Sequence, residues 1–327
     1  MTGHPLNNLF LLLLRWVYDL TVNILPGEFG SIVLTILICT MALKLATVFS
    51  DIKTRQSSAD MARIQPELQK IQKKYANDPR RAQAEQSKLM KERGVSMWGS
   101  CLPLIITMPL FFGFIAAFRY WGYEMTLRLL VDENAMELFQ SFKFLWINNI
   151  WQPDNGLMPT IVEGATFLAT PELSKLLYLH NTPGVWEKLV ELGIALKSVS
   201  GGAVGYQIIN TEASVAAFNN AMQVFKDVHA GYNNGWFLMS VFAGGSNFLS
   251  AWLMQKNTPQ TAANDQTAKS TKWMNYMFPV MSFIFCLSNN AAFAIYWTFS
   301  SLLMIIINII LNKKYPRVAA VQEETHK

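Results

Sequence analysis

Apolar residues run almost unbroken through five stretches of the chain: Ser31–Ser50, Leu102–Trp121, Gly235–Met254, Trp273–Asn289 and Ala291–Leu311. Each approaches the roughly 20 residues that an α-helix needs to cross a hydrocarbon core about 30 Å thick. Backbone polar groups find no water there, so these stretches are predicted to be helices that satisfy their own hydrogen bonds. The fourth is the shortest. Tryptophans flank the later four, at Trp98 or Trp121, Trp236 or Trp252, Trp273 and Trp297, as in an interfacial aromatic belt.

Two further stretches have helical periodicity without span-like purity. In residues 6–25, Leu6, Phe10, Leu13, Val17, Leu20 and Ile24 recur every three or four positions, with Asn8, Arg15, Asp19 and Asn23 on the other side. This pattern predicts an amphipathic helix on the membrane surface, the alternative being a sixth span. No lysine or arginine precedes its apolar run, as a secretory signal would require, and no cysteine precedes Cys39. In residues 51–98, Met61, Ile64, Leu68, Ile71 and Tyr75 keep a 3-4-3-4 rhythm that forms one seam along a helix. Asp78-Pro79 then supplies an N-cap and a first-turn proline for a second helix, with Ala82, Leu89 and Met90 inward and an end near Gly94. A helical hairpin is predicted, its first helix kinked or loosened at Pro66. It is either a solvated connector or a docking device.

Charge orients this plan. The segment 51–98 holds eleven lysines and arginines against six acids, and basic residues also dominate 256–272 and the tail 313–327. The segment 123–234 reverses the balance, with six basic residues against eleven acids. The lysine and arginine bias predicts 51–98 and the C-terminus on the cytoplasmic side and the N-terminus outside. The formal net charge of +5 is thereby accounted for by membrane-flanking segments rather than by a nucleic-acid surface.

One charge breaks the first span. Lys44 stands about 10 Å inside the cytoplasmic end of Ser31–Ser50, where a lysine costs roughly 2.5–3.5 kcal/mol on insertion scales. Thr40, Lys44, Thr47 and Asp51 follow at spacings of four, three and four and form one polar stripe. Lys44 either snorkels to the headgroups or faces a polar interior. Thr107, Ser246, Asn247, Asn275, Ser282, Ser300, Ser301 and Asn308 are polar positions on the other spans, although a lone hydroxyl in a span commonly bonds its own backbone.

Cofactor chemistry is not indicated. Cys39, Cys101 and Cys286 lie in or beside apolar stretches, and His4, His180, His229 and His326 have no ligand spacing, so no metal site is expected. The chain has no glycine-rich phosphate loop followed by Lys-Ser/Thr, no nucleophile–base pair and no paired intramembrane carboxylates, so no enzyme is expected.

The stretch RIQPELQKIQKKYANDPRRAQAEQSKLMKERGVSMWGSCLPLIITMPLFFGF, residues 63–114, resembles the signature block of YidC-type membrane insertases, a family with mitochondrial and chloroplast branches. FLWINNIWQPDNG at 144–156, MNYMFPVM at 274–281 and IYWTFSS at 295–301 extend the resemblance in order, from about residue 6 to residue 315 apart from an insertion. The resemblance implies an all-α integral membrane protein with a five-span insertase core, a cytoplasmic helical hairpin and a hydrophilic groove open to cytoplasm and lipid.

It further implies that Lys44 occupies the position of the groove cation, usually arginine, with Thr40, Thr47, Thr107, Asn247, Asn275, Ser300, Ser301 and Asn308 as candidate groove-lining residues. The implied function is insertion and chaperoning of membrane proteins in the bacterial plasma membrane without nucleotide hydrolysis or a cofactor. Nascent membrane proteins and the lipid bilayer are the implied partners. The ribosome, a targeting receptor and the Sec translocon are further candidates, with no nucleic acid contacted otherwise.

Several features depart from the family pattern. Lysine replaces arginine at 44, Thr107 stands where glutamine is usual, and Asn290-Ala291-Ala292 replaces a Pro–Gly turn. About seventy residues are inserted after WQPDNG. The implied division is a surface helix 1–27, first and second spans with the hairpin 28–122, an extracytoplasmic region 123–234, spans three to five 235–312, and a tail 313–327. The insert, about 157–230, is expected to be helical, with starts at Thr170-Pro171, Thr182-Pro183 and Thr211-Glu212. A solute transporter or an assembly scaffold are the rival classes. A transporter predicts internal repeats and paired broken helices, and no repeat relates the two halves.

Overall fold

The computed structural model of the protein describes residues 5–24, 31–95, 102–200, 202–256 and 265–314. Those residues are mostly helical. Long helices cover all five apolar stretches: α2 (Ser31–Lys74), α4 (Leu102–Val131), α10 (Leu238–Lys256), α11 (Asp265–Ser288) and α12 (Ala291–Lys314). The segments Ser31–Ser50 and Ala291–Leu311 are long and apolar enough to cross a bilayer, and Tyr276–Ser288 is a shorter apolar segment.

The chain divides into two compact units. The first comprises residues 1–39, 112–242 and 283–297. Its core is aromatic. Phe114 stacks on Tyr296 with ring centroids 5.0 Å apart and lies 4.4 Å from Phe10 of α1 (Pro5–Ile24). Trp121 meets both Tyr18 and Trp151 edge-on. Such pairs add directional preference to the apolar area they bury.

Helix α1 divides its buried and exposed side chains differently from its apolar periodicity. Among its described side chains Phe10, Leu11, Leu14, Val17, Tyr18 and Thr21 are buried, whereas Leu20 and Ile24 of the expected apolar face are exposed together with Leu9, Leu12 and Trp16; the Leu6 side chain lies outside the described residues. Arg15, expected on a solvated face, pairs with the buried Glu124 of α4. The Thr21 hydroxyl meets that of Thr35 at 2.9 Å. This helix has an apolar surface on both sides, so periodicity alone did not reveal which side would pack.

The insert also departs from expectation. Short helices do occur: α6 (Gly164–Leu168), a single 3-10 turn at Leu173–Lys175, α7 (Leu177–Asn181) and α8 (Val185–Glu191). They follow α5 (Ala135–Ser141), and the insert ends with α9 (Glu212–Val228), whose N-cap Thr211 forms a reciprocal capping box with Ser214. Between α8 and α9, however, β1 (Ala195–Ser200) and β2 (Ala203–Ile208) form an antiparallel ribbon, with Val199 opposite Val204 and Lys197 opposite Tyr206. Gly202, at φ +82, immediately precedes β2. The ring of Tyr206 stacks on Trp186 at 5.3 Å, and its hydroxyl donates to Glu187, which holds that carboxyl below its ordinary range. On α9's C-cap, His229 packs against Phe139, and burial, with Lys143 nearby, keeps the imidazole below its ordinary value.

The second unit comprises residues 40–111, 243–282 and 298–327. Helix α2 runs from the apolar stretch into the basic segment as one α-helix with Pro66 inside it. Helix α3 (Pro79–Glu92) returns beside it. Asp78 caps α3 by accepting from the Arg81 N–H at 3.1 Å, with Pro79 in the first turn. Gly94, at φ +67, closes it, and the Val95 N–H reaches back to the Met90 carbonyl at 2.9 Å. This is the left-handed C-terminal closure that glycine accommodates without steric penalty.

Candidate functional site

The candidate cation sits on α2, where geometry separates two faces. Residues along an α-helix are about 100° apart, so positions three and four apart share a side. Ile38, Met41, Leu45 and Phe49 are exposed and form one apolar face. Thr40 is buried, and Lys44 and Thr47 are half-buried. By the same angular spacing the centre of this stripe is turned about 140° from that of the exposed apolar face, with Lys44, three positions from Met41, at the stripe's nearer edge. The Asp51 side chain, which would continue the stripe, lies outside the described residues.

The candidate groove-lining positions all belong to the unit that contains Lys44. Their polar groups differ. The Thr47 hydroxyl donates to the Lys44 carbonyl at 3.1 Å, and the Asn247 amide donates to the Ala243 carbonyl at 2.9 Å. Ser246 and Ser282 likewise donate to carbonyls of their own helices, at 3.1 and 2.8 Å. Such back-bonding satisfies a hydroxyl where water is scarce. Ser300 and Asn308 are half-buried and Ser301 is buried, all on α12. Thr107 and Asn275 fall on α4 and α11, with side chains outside the described residues.

The basic hairpin holds a small core of its own. Ile64 packs with Met90, Val95 and Leu68. Ile71 and Tyr75 of the seam are half-buried, and the Met61 side chain lies outside the described residues. Arg93 spans Glu67 with bonds of 2.8 and 2.9 Å to the two carboxylate oxygens. A cleft of about 640 Å³ between the helices is lined by Gln69, Gln72, Lys73, Gln83, Gln86 and their neighbours. Among the described residues no group of three or more histidines, cysteines or acids is placed to hold a metal ion.

Sequence reasoning missed what WINNIWQPDNG builds. Asp154 is fully buried and accepts from the N–H groups of Trp236, Phe237 and Met239 at 2.6, 3.0 and 2.7 Å, and from the Trp146 indole at 3.2 Å. It thereby caps the start of α10, where unpaired N–H groups and the helix dipole favour a carboxylate. Gly235, at φ +73, is required because a Cβ there would collide with Asp154. Asn234 donates to the carbonyls of Asn149, Gln152 and Pro153 and accepts from the Asn149 N–H. Asn290 donates to the Phe118 carbonyl at 2.9 Å, and the Ala291 and Ala292 N–H groups bond the carbonyls of Gln152 and Ile150. The clustered Asn, Asp, Pro and Gly were a legible turn-and-cap signal.

Long apolar helices joined by a basic hairpin, one of them carrying a half-buried lysine, define a helical membrane protein. The family model described as "60Kd inner membrane protein" matches residues 24–187 and 203–318. The chain belongs to this family, the YidC type. The Membrane protein insertase YidC of Clostridium perfringens is 31% identical over 173 residues, covering 52% of this chain and 66% of the relative. That of Clostridium tetani is 32% identical over 161 residues, covering 49% and 66%. That of Pelodictyon phaeoclathratiforme is 24% identical over 280 residues, covering 86% of this chain and 33% of its own length. The chain thus spans just under two thirds of the clostridial relatives and one third of the longer one.

Proposed function

We propose that the chain is a membrane protein insertase and chaperone. It guides hydrophobic segments and short translocated tails of nascent proteins into the bilayer through a hydrophilic groove open to the cytoplasm. Its five spans are Ser31–Ser50, Leu102–Trp121, Gly235–Met254, Trp273–Asn289 and Ala291–Leu311, in a bacterial plasma membrane. The N-terminus lies outside and the C-terminus inside, following the lysine and arginine bias. Lys44 is the groove cation, and Thr40, Thr47, Thr107, Asn247, Asn275, Ser300, Ser301 and Asn308 line the groove.

The mechanism follows from solvation. An unsatisfied polar group in hydrocarbon costs several kcal/mol, so a wet groove shortens the dry path of a translocated tail. A cation near low dielectric attracts acidic or polar tails more strongly than one in bulk water. The substrate's apolar helix then leaves sideways into lipid, driven by transfer worth about 25 cal/mol per Å². Partitioning supplies the free energy, so no nucleotide is hydrolysed and the chain is not an enzyme. Lysine preserves the family's charge but not arginine's planar fork, and hydration of the groove keeps it protonated.

The observation that carries this reading is a half-buried Lys44 in line with buried Thr40 and half-buried Thr47, on a helix that also presents Ile38, Leu45 and Phe49 as an exposed apolar face. The basic hairpin receives nascent chains or their targeting factors; the ribosome, a targeting receptor and the Sec translocon are candidate partners on that side. In reconstituted vesicles, Lys44→Ala and Lys44→Glu are expected to slow insertion of single-span substrates with acidic tails, whereas Lys44→Arg retains it. A loss of about tenfold corresponds to about 1.4 kcal/mol of barrier. Equal insertion by all three variants would mean that Lys44 only snorkels to the headgroups.

A further inference from the structure

Residues 144–159 and 231–242 contain one Asp, Glu, Lys, Arg or His, Asp154, and it is fully buried. Around it the surface is apolar. Leu157 and Tyr232 are each 73% exposed and Trp236 is 70% exposed, with Met158 also exposed. Two loop segments hold these side chains in one place. The Gly156 N–H donates to the Asn234 carbonyl at 3.2 Å, the Asn234 N–H to the Met158 carbonyl at 2.8 Å, and the Asn233 amide to the Gly156 carbonyl at 2.9 Å. Asn155 accepts from the Leu157 and Met158 N–H groups. The result is a ledge with many of its backbone groups paired and large apolar side chains outward, continuous with the first turn of α10.

We propose that this ledge is an interfacial anchor that lies in the headgroup and upper acyl layer of the bilayer at the start of α10. Three observations select lipid as its occupant. The ledge adjoins a helix that carries no charge before Lys256, so it stands at the height where that helix enters hydrocarbon. Two of its three most exposed residues are a tryptophan and a tyrosine, whose apolar rings and polar tips suit the membrane–water boundary. Backbone pairing lowers the cost of bringing loops toward lipid, where unpaired N–H and C=O groups are expensive. The exposed apolar residues of the β-ribbon, Leu196, Val199 and Val204, differ because Lys197, Ser198 and Ser200 interleave them. Through Asp154, which bonds the N–H groups of Trp236 and Phe237 in the ledge and of Met239 in the helix, the anchor fixes the depth of the α10 start.

The proposal rests on α10 crossing the membrane and is independent of the groove and of Lys44. It is tested by spin labels at Leu157→Cys and Tyr232→Cys in the full chain, reconstituted in lipid nanodiscs with the native cysteines replaced. Both labels are expected to show an oxygen-to-nickel-chelate accessibility ratio severalfold above that of a label at Glu212→Cys. Either label as open to the water-soluble chelate as position 212 overturns the anchor, and indicates a protein partner or bare solvent instead. In the chain with its cysteines intact, Trp236→Phe is expected to lower fluorescence quenching by lipids brominated near the glycerol; unchanged quenching likewise overturns it. Insertion that persists with water-exposed labels would sink the anchor and leave the insertase reading standing.

Discussion

Asp154 accepts four N–H hydrogen bonds while fully buried, so removing its carboxylate strands all four donors. Leaving such groups unpaired costs a few kcal/mol, and Asp154→Ala is expected to destabilise the fold by about 3 kcal/mol, with Asp154→Asn losing less. Thermal unfolding in detergent checks this; an unchanged midpoint for the alanine variant would contradict the cap. His229 gives a pH signature. Its folded-state affinity for protons is depressed by burial first and by Lys143 second. The unfolded chain therefore binds a proton before the folded one does, and its contribution to stability, present above the ordinary histidine value of 6.5, is lost as pH falls through the lower folded value. His229→Gln is expected to flatten the acidic limb of the stability profile, measured as unfolding midpoint against pH. Lys44 was legible in the sequence because one charge inside an apolar run stands out without any tertiary information. The partners of Asp154 were not: the turn signal around it is local, and the donors from residues 236–239 are brought to it only by the fold.

The helices over the apolar stretches were legible for a related reason: a bilayer-length apolar run must satisfy its own backbone, whatever surrounds it. Their ends were less so. Helix α10 begins at Leu238 rather than Gly235, since Gly235 has a positive φ and belongs to the Asp154 cap. The ribbon at 195–208 was overlooked although β-branched Val199 and Val204 flank two consecutive glycines in the sequence, because capping signals on either side favoured helices. In the hairpin, the seam and the Asp78-Pro79 start were readable, and they bring α3 to pack against α2. The contacts in that packing are unequal. Met90 is buried against Ile64, so Met90→Ala is expected to cost about 2–3 kcal/mol. The Arg93–Glu67 pair is exposed, and Arg93→Ala should cost under about 1 kcal/mol. Protease resistance of residues 58–92 distinguishes the two variants. Deleting 58–92 is expected to abolish insertion, and retained insertion would remove the hairpin's receiving role.

The division of the whole molecule was partly written in its charge. The acidic segment 123–234 falls entirely within the first unit, and the basic hairpin 51–98 with every candidate groove residue falls within the second. A chain whose charged segments sort by sign along the sequence is one whose spans have a preferred direction. What could not be read in advance was that the two units draw on the same helices, with α2, α4, α10, α11 and α12 each contributing residues to both. The function proposed for the assembly depends on a cation that meets the translocating chain. The most direct measurement places a photoactivatable amino acid at position 44 and probes it with a ribosome-stalled nascent membrane protein. Crosslinks to the nascent chain that grow and then vanish as its span lengthens are the predicted result. Adducts formed only with lipid, at every nascent-chain length, would contradict the account.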